Sequence, residues 1–403
     1  MSKKIALAVI ATLVFQVSAI SIAKADGINW TSRPSAADSS WRGVAFGNNT
    51  FVAVSSTGAA TSQVMTSPDG ITWTTRTAAS QKAWRSVAFG NGIFVAVSAS
   101  NTVTDSVMTS PDGINWTSRN SANSNNWWDV TYGDGLFVAV GYLGTGGDTG
   151  KRVMTSTDGI NWTARTSVGA TQRQWVSVTY GNGLFVATSN NDNGGESGVM
   201  TSPDGITWTH QTAAENNDWY AVTYGNGFFV AVSIDGTNRV MTSPDGISWT
   251  SRSAAINNIW WGIAYGEGLF VAVSASGTSN RVMTSPDGIN WNTRTPPTDN
   301  DWYAITYADG VFVSLSSSGA GNRVMTSGQI GLAGRLAAAE AAKKAKEQKE
   351  LTELLSVIPS IAGLALNIGD LANSLLSTKC TKGKTIKYVK KSAKCPKGFV
   401  KKK

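Results

Sequence analysis

Hydrophobic and polar residues alternate in short runs along most of the chain, a pattern typical of β-strands rather than helices. Four such runs lie within one 43-residue stretch and are separated by turn sequences such as Gly-Asn-Gly and Pro-Asp-Gly. The runs are residues 84–89, 93–98, 107–110 and 114–119. This stretch therefore predicts four short antiparallel strands in sequence order.

The same stretch recurs seven times. The pentapeptide Asp-Gly-Ile-x-Trp begins at Asp26, Asp69, Asp112, Asp158, Asp204, Asp245 and Asp287. A Phe-Val-Ala-Val-like run and a Val-Met-Thr-Ser run also each occur seven times. Repeats of about 40–45 residues with four strands each are typical of β-propeller blades. Residues 26–327 are therefore predicted to form an all-β, seven-bladed β-propeller.

The two ends of the repeat region predict how the ring closes. Residues 28–33 supply only a fourth strand, and the last repeat supplies only the first three strands, ending at residue 327. Pairing these ends would build one blade from both termini and leave no exposed sheet edge. An open solenoid, the alternative, would need capping repeats, and none is visible.

The recurring Ser-Pro-Asp-Gly-x-x-Trp motif resembles the Asp-box, or BNR repeat, although the family has one more residue between Asp and Gly. Sialidases, sortilin-type receptors and many exported bacterial propellers carry that repeat. The resemblance implies that the motif is a structural turn between the third and fourth strands, away from any ligand site. The Asp residues assigned this structural role are Asp69, Asp112, Asp158, Asp204, Asp245 and Asp287.

Ligand-binding candidates come from positions that differ between repeats. The loops after the second and fourth strands vary in length and share one face of the ring, whereas the tight turns on the other face barely change. Non-repeated aromatic residues near these loops are Trp128, Tyr142, Tyr220, Trp261 and Tyr303. They suit a glycan or a protein partner equally well. Variation of surface loops without any function is the alternative explanation.

Other repeated residues are interpreted as scaffold. Each first strand opens with a Trp that is expected to pack between blades, and an Arg follows the Asp-box Trp by three residues in six repeats, with Gln211 in the remaining one. His210 is the only histidine, so a His-based catalytic triad is not supported. Residues 190–196 cluster oxygen ligands as a Ca²⁺ loop does, with a plain solvated loop as the alternative. No other cofactor and no metal site is expected.

The first 25 residues predict an export signal. Lys3 and Lys4 precede an apolar stretch, and Ala23-Lys24-Ala25 matches a small-x-small cleavage site. A membrane anchor is the alternative. Removal of residues 1–25 would place the protein outside the cytoplasm, secreted or at the cell envelope.

The positive charge is confined to the chain ends. Of the net charge of +8, the 11 Lys of residues 379–403 and the three of residues 1–25 contribute +14, so residues 26–378 carry −6. A nucleic-acid groove on the propeller is therefore not expected.

Residues 328–378 are predicted to form a helical linker or hairpin. Cys380 and Cys395 are predicted to form a disulfide.

The basic tail, residues 379–403, is similar to Lys-rich tails that end some exported actinobacterial proteins. With no acidic residue, it is expected to attach to an anionic wall polymer or membrane surface, with a merely solubilising role as the alternative.

The leading hypothesis for the function is an exported, non-catalytic binding propeller held at the cell envelope. The alternative is a sialidase-like glycoside hydrolase, which needs an arginine cluster and a Tyr nucleophile with acidic partners. The near-uniform blades favour the binding protein, and the sequence does not indicate an oligomeric state.

Overall fold

A computed structural model describes residues 27–142, 150–168, 173–190, 198–328, 377–382, 384–390 and 395–401. The chain separates into two compact units, Met1–Gly334 and Arg335–Lys403. The predicted signal, residues 1–25, and almost all of the predicted helical segment, residues 328–378, lie outside the described part. Within that part, no helix is long and apolar enough to cross a membrane.

The first unit consists of seven antiparallel four-stranded sheets. The described chain begins with β1 (Trp30–Arg33), which completes the last blade. The innermost strands of the blades are β2 (Trp41–Gly47), β6 (Trp84–Gly90), β10 (Asn126–Gly133), β14 (Gln174–Gly181), β18 (Trp219–Gly225), β22 (Trp260–Gly266) and β26 (Trp302–Ala308). The second strands are β3 (Thr50–Ser55), β7 (Ile93–Ser98), β11 (Leu136–Tyr142), β15 (Leu184–Asn190), β19 (Phe228–Ser233), β23 (Leu269–Ser274) and β27 (Val311–Ser316).

The third strands carry the Val-Met-Thr-Ser run and the fourth strands follow the Asp-box. The third strands are β4 (Val64–Ser67), β8 (Val107–Ser110), β12 (Val153–Ser156), β16 (Gly198–Ser202), β20 (Val240–Ser243), β24 (Val282–Ser285) and β28 (Val324–Ser327). The other fourth strands are β5 (Thr74–Arg76), β9 (Thr117–Arg119), β13 (Thr163–Arg165), β17 (Thr209–Thr212), β21 (Thr250–Arg252) and β25 (Asn292–Arg294). A short 3₁₀ helix, Ala60–Ser62, lies in the loop before β4.

The ring closes as the sequence predicts. Strand β1 pairs antiparallel with β28, with Trp30 opposite Ser327 and Arg33 opposite Val324, so the last sheet has the order β1-β28-β27-β26. The all-β, seven-bladed architecture with split-blade closure is therefore confirmed.

Hydrophobic clusters between adjacent blades hold the ring together. Trp84, which opens the second blade, is fully buried against Val52 and Val54 of the first blade. The equivalent Trp of every blade is likewise 0% exposed. Burying such a ring contributes roughly 1.5–3 kcal/mol or more per side chain. The expectation that these tryptophans pack between blades is confirmed.

Glycines at the ends of the innermost strands admit an aromatic ring from the next blade. A Cβ placed on Gly133 would lie 2.1 Å from the Tyr180 ring, and Gly181 stands in the same relation to Tyr224, at 2.2 Å. In the last blade Ala308 occupies this position, and Ala308 and Phe46 of the first blade both pack against the hydrophobic cluster between these two blades. The junction of the last and first blades is therefore the one place in the ring where this position carries a methyl group.

The repeated Ser-Pro-Asp-Gly motif forms a hydrogen-bonded turn. In the fourth blade Oδ1 of Asp204 accepts hydrogen bonds from the backbone amides of Ile206 and Thr207 and from the Ser202 hydroxyl. The Trp208 indole donates to the Gly205 carbonyl at 3.1 Å. The amide of Thr207, followed by that of Ile206, holds the pKa of Asp204 below its usual range. These bonds support the structural role assigned to the motif.

The turn is longer than the sequence pattern predicts. The fourth strand of the second blade was expected over residues 114–119 but spans only Thr117–Arg119, because the Asp112 carboxylate draws the amides of Ile114 and Asn115 into the turn. Ile114 is consequently 43% exposed instead of facing the core.

The repeated arginines are structural. In each case Nε donates to the threonine hydroxyl of the adjacent third strand, as Arg119 does to Thr109 at 3.1 Å. Gln211, which replaces Arg in one repeat, keeps the bond through its amide to Thr201 at 3.1 Å. The bonding partner is thus a hydroxyl within the same blade and not a carbonyl of the neighbouring blade.

The described part of the second unit is a small three-stranded sheet. It comprises β29 (Ser377–Lys382), β30 (Thr385–Lys390) and β31 (Val400–Lys401), in the order β30-β29-β31. Cys380 and Cys395 form the predicted disulfide, with a Cα–Cα distance of 5.6 Å. Strands β29 and β30 form a hairpin that begins at Ser377, before the first cysteine.

Candidate functional site at the channel mouth

Every innermost strand carries a β-bulge immediately after its opening Trp. In the third blade Trp127 lies opposite Gly141 and Asp129 lies opposite Val140, so Trp128 has no partner in the ladder. A bulge bends the strand and redirects the side chain of the extra residue. We call the seven bulged residues the mouth residues: Arg42, Arg85, Trp128, Val176, Tyr220, Trp261 and Tyr303.

The mouth residues line one end of a cavity on the ring axis. The cavity has a volume of about 400 Å³ and is lined by the innermost strands of all seven blades. Its mouth opens on the variable face, because each mouth residue directly follows the loop that joins two blades. Backbone hydrogen bonds tie that loop to the loop after the second strand, as from Ala78 to Ala60 at 2.8 Å. The two variable loops therefore share the face predicted to bind a ligand.

Four aromatic mouth residues form a continuous arc. The ring centres of Tyr220 and Trp261 are 4.3 Å apart, and those of Trp261 and Tyr303 are 4.7 Å apart. The ring centres of Trp128 and Tyr220 are 6.4 Å apart. Val176, the mouth residue of the blade between them, has a small and buried side chain. Edge-to-face and tilted contacts at these distances are favourable and fix the rings relative to one another.

A guanidinium group stacks on the aromatic ring at each end of the arc. The Arg42 guanidinium carbon lies 3.7 Å from the centre of the Tyr303 ring, and that of Arg85 lies 4.1 Å from the Trp128 ring. The Nε atom of Arg42 also donates a hydrogen bond to the Ser56 hydroxyl at 3.4 Å. The mouth thus combines a cationic sector in the first two blades with an aromatic sector in the third and in the fifth to seventh.

Asp129 connects three blades just inside the mouth. Oδ1 accepts hydrogen bonds from the Ser86 hydroxyl at 2.7 Å and the Val130 amide at 2.9 Å. Oδ2 accepts from the Ser177 hydroxyl at 3.1 Å and the Val178 amide at 2.9 Å. Burial raises the pKa of Asp129, and these four hydrogen bonds act in the opposite direction.

The equivalent positions of the other blades are small. They are Gly43, Ala221, Gly262 and Ala304. The Ser177 hydroxyl also accepts a hydrogen bond from the Val222 amide of the fifth blade at 3.2 Å. Among the residues that the structure describes, side chains therefore connect the innermost strands at this level from the second to the fifth blade. Asp129 acts in this arrangement as a structural link beneath Trp128 and Arg85.

The structure brings together four of the five ligand-binding candidates. Trp128, Tyr220, Trp261 and Tyr303 all line the cavity. Tyr142 ends β11 opposite Asn126, and its side chain lies outside the described part. The sequence interpretation missed Arg42, Arg85 and Val176, because it sought aromatic residues only. Their position in the repeat could have identified them, because each of the three residues directly follows the repeated Trp.

The mouth holds two arginines and two tyrosines, the residue types that the hydrolase alternative needs, whereas Asp129, the carboxylate that lines the cavity, accepts four hydrogen bonds from the innermost strands. The Tyr307 hydroxyl donates to Glu267 at 2.7 Å, but Glu267 lies in the tight turn after β22, on the constant face. Burial and this hydrogen bond raise the pKa of Tyr307, the opposite of what a tyrosine nucleophile needs. Glu215 accepts hydrogen bonds from Asn238 and Ser251 in a loop.

The only histidine has a specific neighbour. The Nε2 atom of His210 lies 2.7 Å from a terminal nitrogen of Arg173, and the imidazole is half-buried. His210 is therefore packed against Arg173. Residues 191–196 of the possible Ca²⁺ loop, 190–196, lie outside the described part.

Solved structures similar to this chain are β-propellers. YCF48 from Cyanidioschyzon merolae is 16% identical, with a TM-score of 0.54 over 74% of this chain and 98% of that one. YCF48 bound to D1 peptide is 14% identical, with a TM-score of 0.55 over 78% and 100%. The Cps50 (Swd1) β-propeller domain of Myceliophteria thermophila is 8% identical, with a TM-score of 0.51 over 75% and 100%.

These likenesses establish the fold. No protein-family model matches the chain, and no curated protein matches it. The resemblance to the Asp-box family therefore stays a prediction that rests on the motif.

Proposed function

We propose that this protein is a non-catalytic binding propeller that takes an extended segment of a partner protein at the channel mouth. The observation that carries the proposal is the ring of bulges, which gathers Trp128, Tyr220, Trp261 and Tyr303 over one cavity together with two arginines. Trp, Tyr and Arg are the residue types that dominate the energetics of protein–protein interfaces.

The contacts within the mouth favour a polypeptide over a glycan. Sugar rings bind best when they stack on an open aromatic face. Here a guanidinium covers one face of Tyr303 and one face of Trp128, and the rings of Tyr220 and Trp261 meet at a steep angle of 67°. A polypeptide can instead insert side chains between these groups and hydrogen-bond to their edges. YCF48, a propeller of the same fold, has been solved with a bound peptide.

The location of this function is proposed to be the cell envelope. The signal predicted over residues 1–25 would export the chain, and the basic tail would hold it on an anionic surface. Deletion of residues 379–403 should release the protein from envelope fractions, and unchanged retention after the deletion would contradict attachment through the tail.

A display selection tests the proposed binding mode. The chain beginning at residue 26 is used to select from a library of random linear peptides, and the dissociation constants of enriched peptides are measured by calorimetry. Tyr220→Ala and Trp261→Ala are each expected to weaken binding by at least tenfold, as hot-spot aromatics do. Ile247→Ala is the matched control, because Ile247 is 51% exposed in an Asp-box turn on the constant face.

The outcomes separate the alternatives. Peptides that bind the Trp261→Ala variant as tightly as the parent chain would contradict the proposed site. A glycan array that yields ligands dependent on Tyr220 and Trp261, where the peptide library yields none, would replace the protein partner by a glycan. Turnover of a glycosidase substrate that depends on a mouth residue would establish the hydrolase instead.

A further inference from the structure

The small sheet of the second unit has two different faces. Cys380 lies in the central strand β29, is fully buried and is bonded to Cys395. Lys387 lies opposite Cys380 on β30, and its ammonium group is 5.6 Å from the centre of the Phe399 ring. The face that carries Cys380 is therefore covered by the disulfide and by Phe399.

The other face carries an uncovered apolar row. Successive residues of a strand point to opposite faces, so Thr381 faces away from the disulfide. Ile386 on β30 and Val400 on β31 both lie directly opposite Thr381. Ile386 is 48% exposed and Val400 is 71% exposed. We call Ile386, Thr381 and Val400 the tail row.

Lysines are abundant in the segment that carries the tail row. The tail contains 11 Lys and no acidic residue between 379 and 403. Lys382, Lys384 and Lys397 are exposed, and Lys382 and Lys384 lie beside or in the turn that joins β29 to β30. An exposed apolar strip on a purely cationic segment is the pattern of peripheral proteins that bind at a membrane interface.

We infer that the tail row docks on an anionic lipid bilayer, with Ile386 and Val400 entering the interface while the lysines contact the headgroups. The inference rests on the proposed attachment of the tail and names its partner. A polyanionic wall polymer would complement the lysines but would leave the two apolar side chains in water. A bilayer with anionic headgroups complements both features, because its interface accepts apolar side chains and its surface attracts the lysines.

Vesicle flotation tests the inference with the chain beginning at residue 26. The vesicles contain either phosphatidylcholine alone or a mixture of phosphatidylcholine and phosphatidylglycerol, and binding is measured at low and high salt. The parent chain is expected to bind the mixed vesicles and to keep part of that binding at high salt, because apolar contacts are not screened. The double variant Ile386→Ser/Val400→Ser is expected to bind about tenfold more weakly and to lose the salt-resistant part.

A matched double variant controls for the loss of exposed isoleucines elsewhere. Ile114 and Ile160 are 43% and 40% exposed on the propeller, so Ile114→Ser/Ile160→Ser removes a similar apolar surface outside the tail. This variant is expected to bind vesicles as the parent chain does. Mass spectrometry under non-reducing conditions verifies that the disulfide of the tail variant has formed.

Three results would overturn the inference. The first is equal vesicle binding by the tail variant and the parent chain. The second is binding to heparin beads and mixed vesicles that high salt abolishes equally, which would indicate a polyanion partner. The third is unchanged vesicle binding with a lower melting temperature of the tail variant, which would show that the row packs against this chain. None of these results bears on peptide binding at the mouth, so the two proposals fail separately.

Discussion

The Arg42 guanidinium stacks on the Tyr303 ring at 3.7 Å, and this contact joins the first blade to the last across the seam where the ring closes. The contact is half-buried and adds to the backbone pairing of β1 with β28. The same side chain therefore belongs both to the proposed site and to the closure of the ring.

Arg42→Ala is expected to lower the free energy of unfolding by about 0.5–1 kcal/mol, the usual size of a partly exposed cation–π contact. Arg42→Lys keeps the charge but loses the planar stack, so it should lose part of that stability. Urea denaturation measures both. Equal stability of the alanine variant and the parent chain would mean that the contact adds nothing to closure.

Asp129→Ala is expected to cost about 2–4 kcal/mol of unfolding free energy, because it leaves buried hydroxyl and amide donors of three blades without their acceptor. Asp134→Asn is the control in the same blade, since Asp134 is exposed in the turn after β10 and asparagine tolerates its positive φ of 47°. The control is expected to change stability by less than about 0.5 kcal/mol. A similar effect of both substitutions would refute the linking role of Asp129.

The Asp-box carboxylates predict how stability depends on acid. Backbone amides lower the pKa of Asp158, Asp204 and Asp245 in the folded protein, led by the amides of residues 161, 207 and 248 respectively. A lowered folded pKa stabilises the protein above the unfolded pKa of about 4, and that stability is lost as the pH falls further.

Melting temperature should therefore be steady from neutral pH to about pH 5 and fall below about pH 4. Asp204→Asn keeps an oxygen acceptor but cannot titrate, so the melting temperature of this variant should decrease less at low pH than that of the parent chain. A variant with the same acid profile as the parent chain would contradict the contribution of this turn.

Gly133→Ala is expected to destabilise the protein by about 1–3 kcal/mol, because the new methyl group would meet the Tyr180 ring. Ala308→Gly is the reverse change at the junction of the last and first blades, where the chain already accommodates a methyl group at this position. It should change stability by about 1 kcal/mol or less. If the Gly133→Ala variant has the same denaturation midpoint as the parent chain, the neighbouring aromatic ring does not require a glycine at this position.

The repeat made the architecture predictable, whereas the site was predictable only in part. Seven copies of the Asp-Gly-Ile-x-Trp motif and the incomplete first and last repeats led directly to the closed ring. The extent of the fourth strand was overestimated, because the alternation of residues 114–119 resembles a strand although the Asp112 carboxylate holds the first part of it in a turn.

The limits of the site prediction have a physical cause. A period-2 pattern assigns residues to alternate faces of a strand, but a bulge inserts one residue and changes that assignment. Trp128 and Trp261 were recognised because a second Trp beside the repeated one is conspicuous. Arg42 and Arg85 occupy the same bulged position and resemble ordinary polar strand residues until the pairing register is known.

The bulge in every innermost strand has a consequence for how the protein can change. A residue outside the ladder can be replaced without altering the strand pairing on either side of it, which is consistent with the occurrence of Arg, Trp, Val and Tyr at this one position. The ring thus offers seven variable positions on a constant frame, much as antibody loops do on theirs. Randomising these positions together would turn the propeller into a scaffold for selecting new binding specificities.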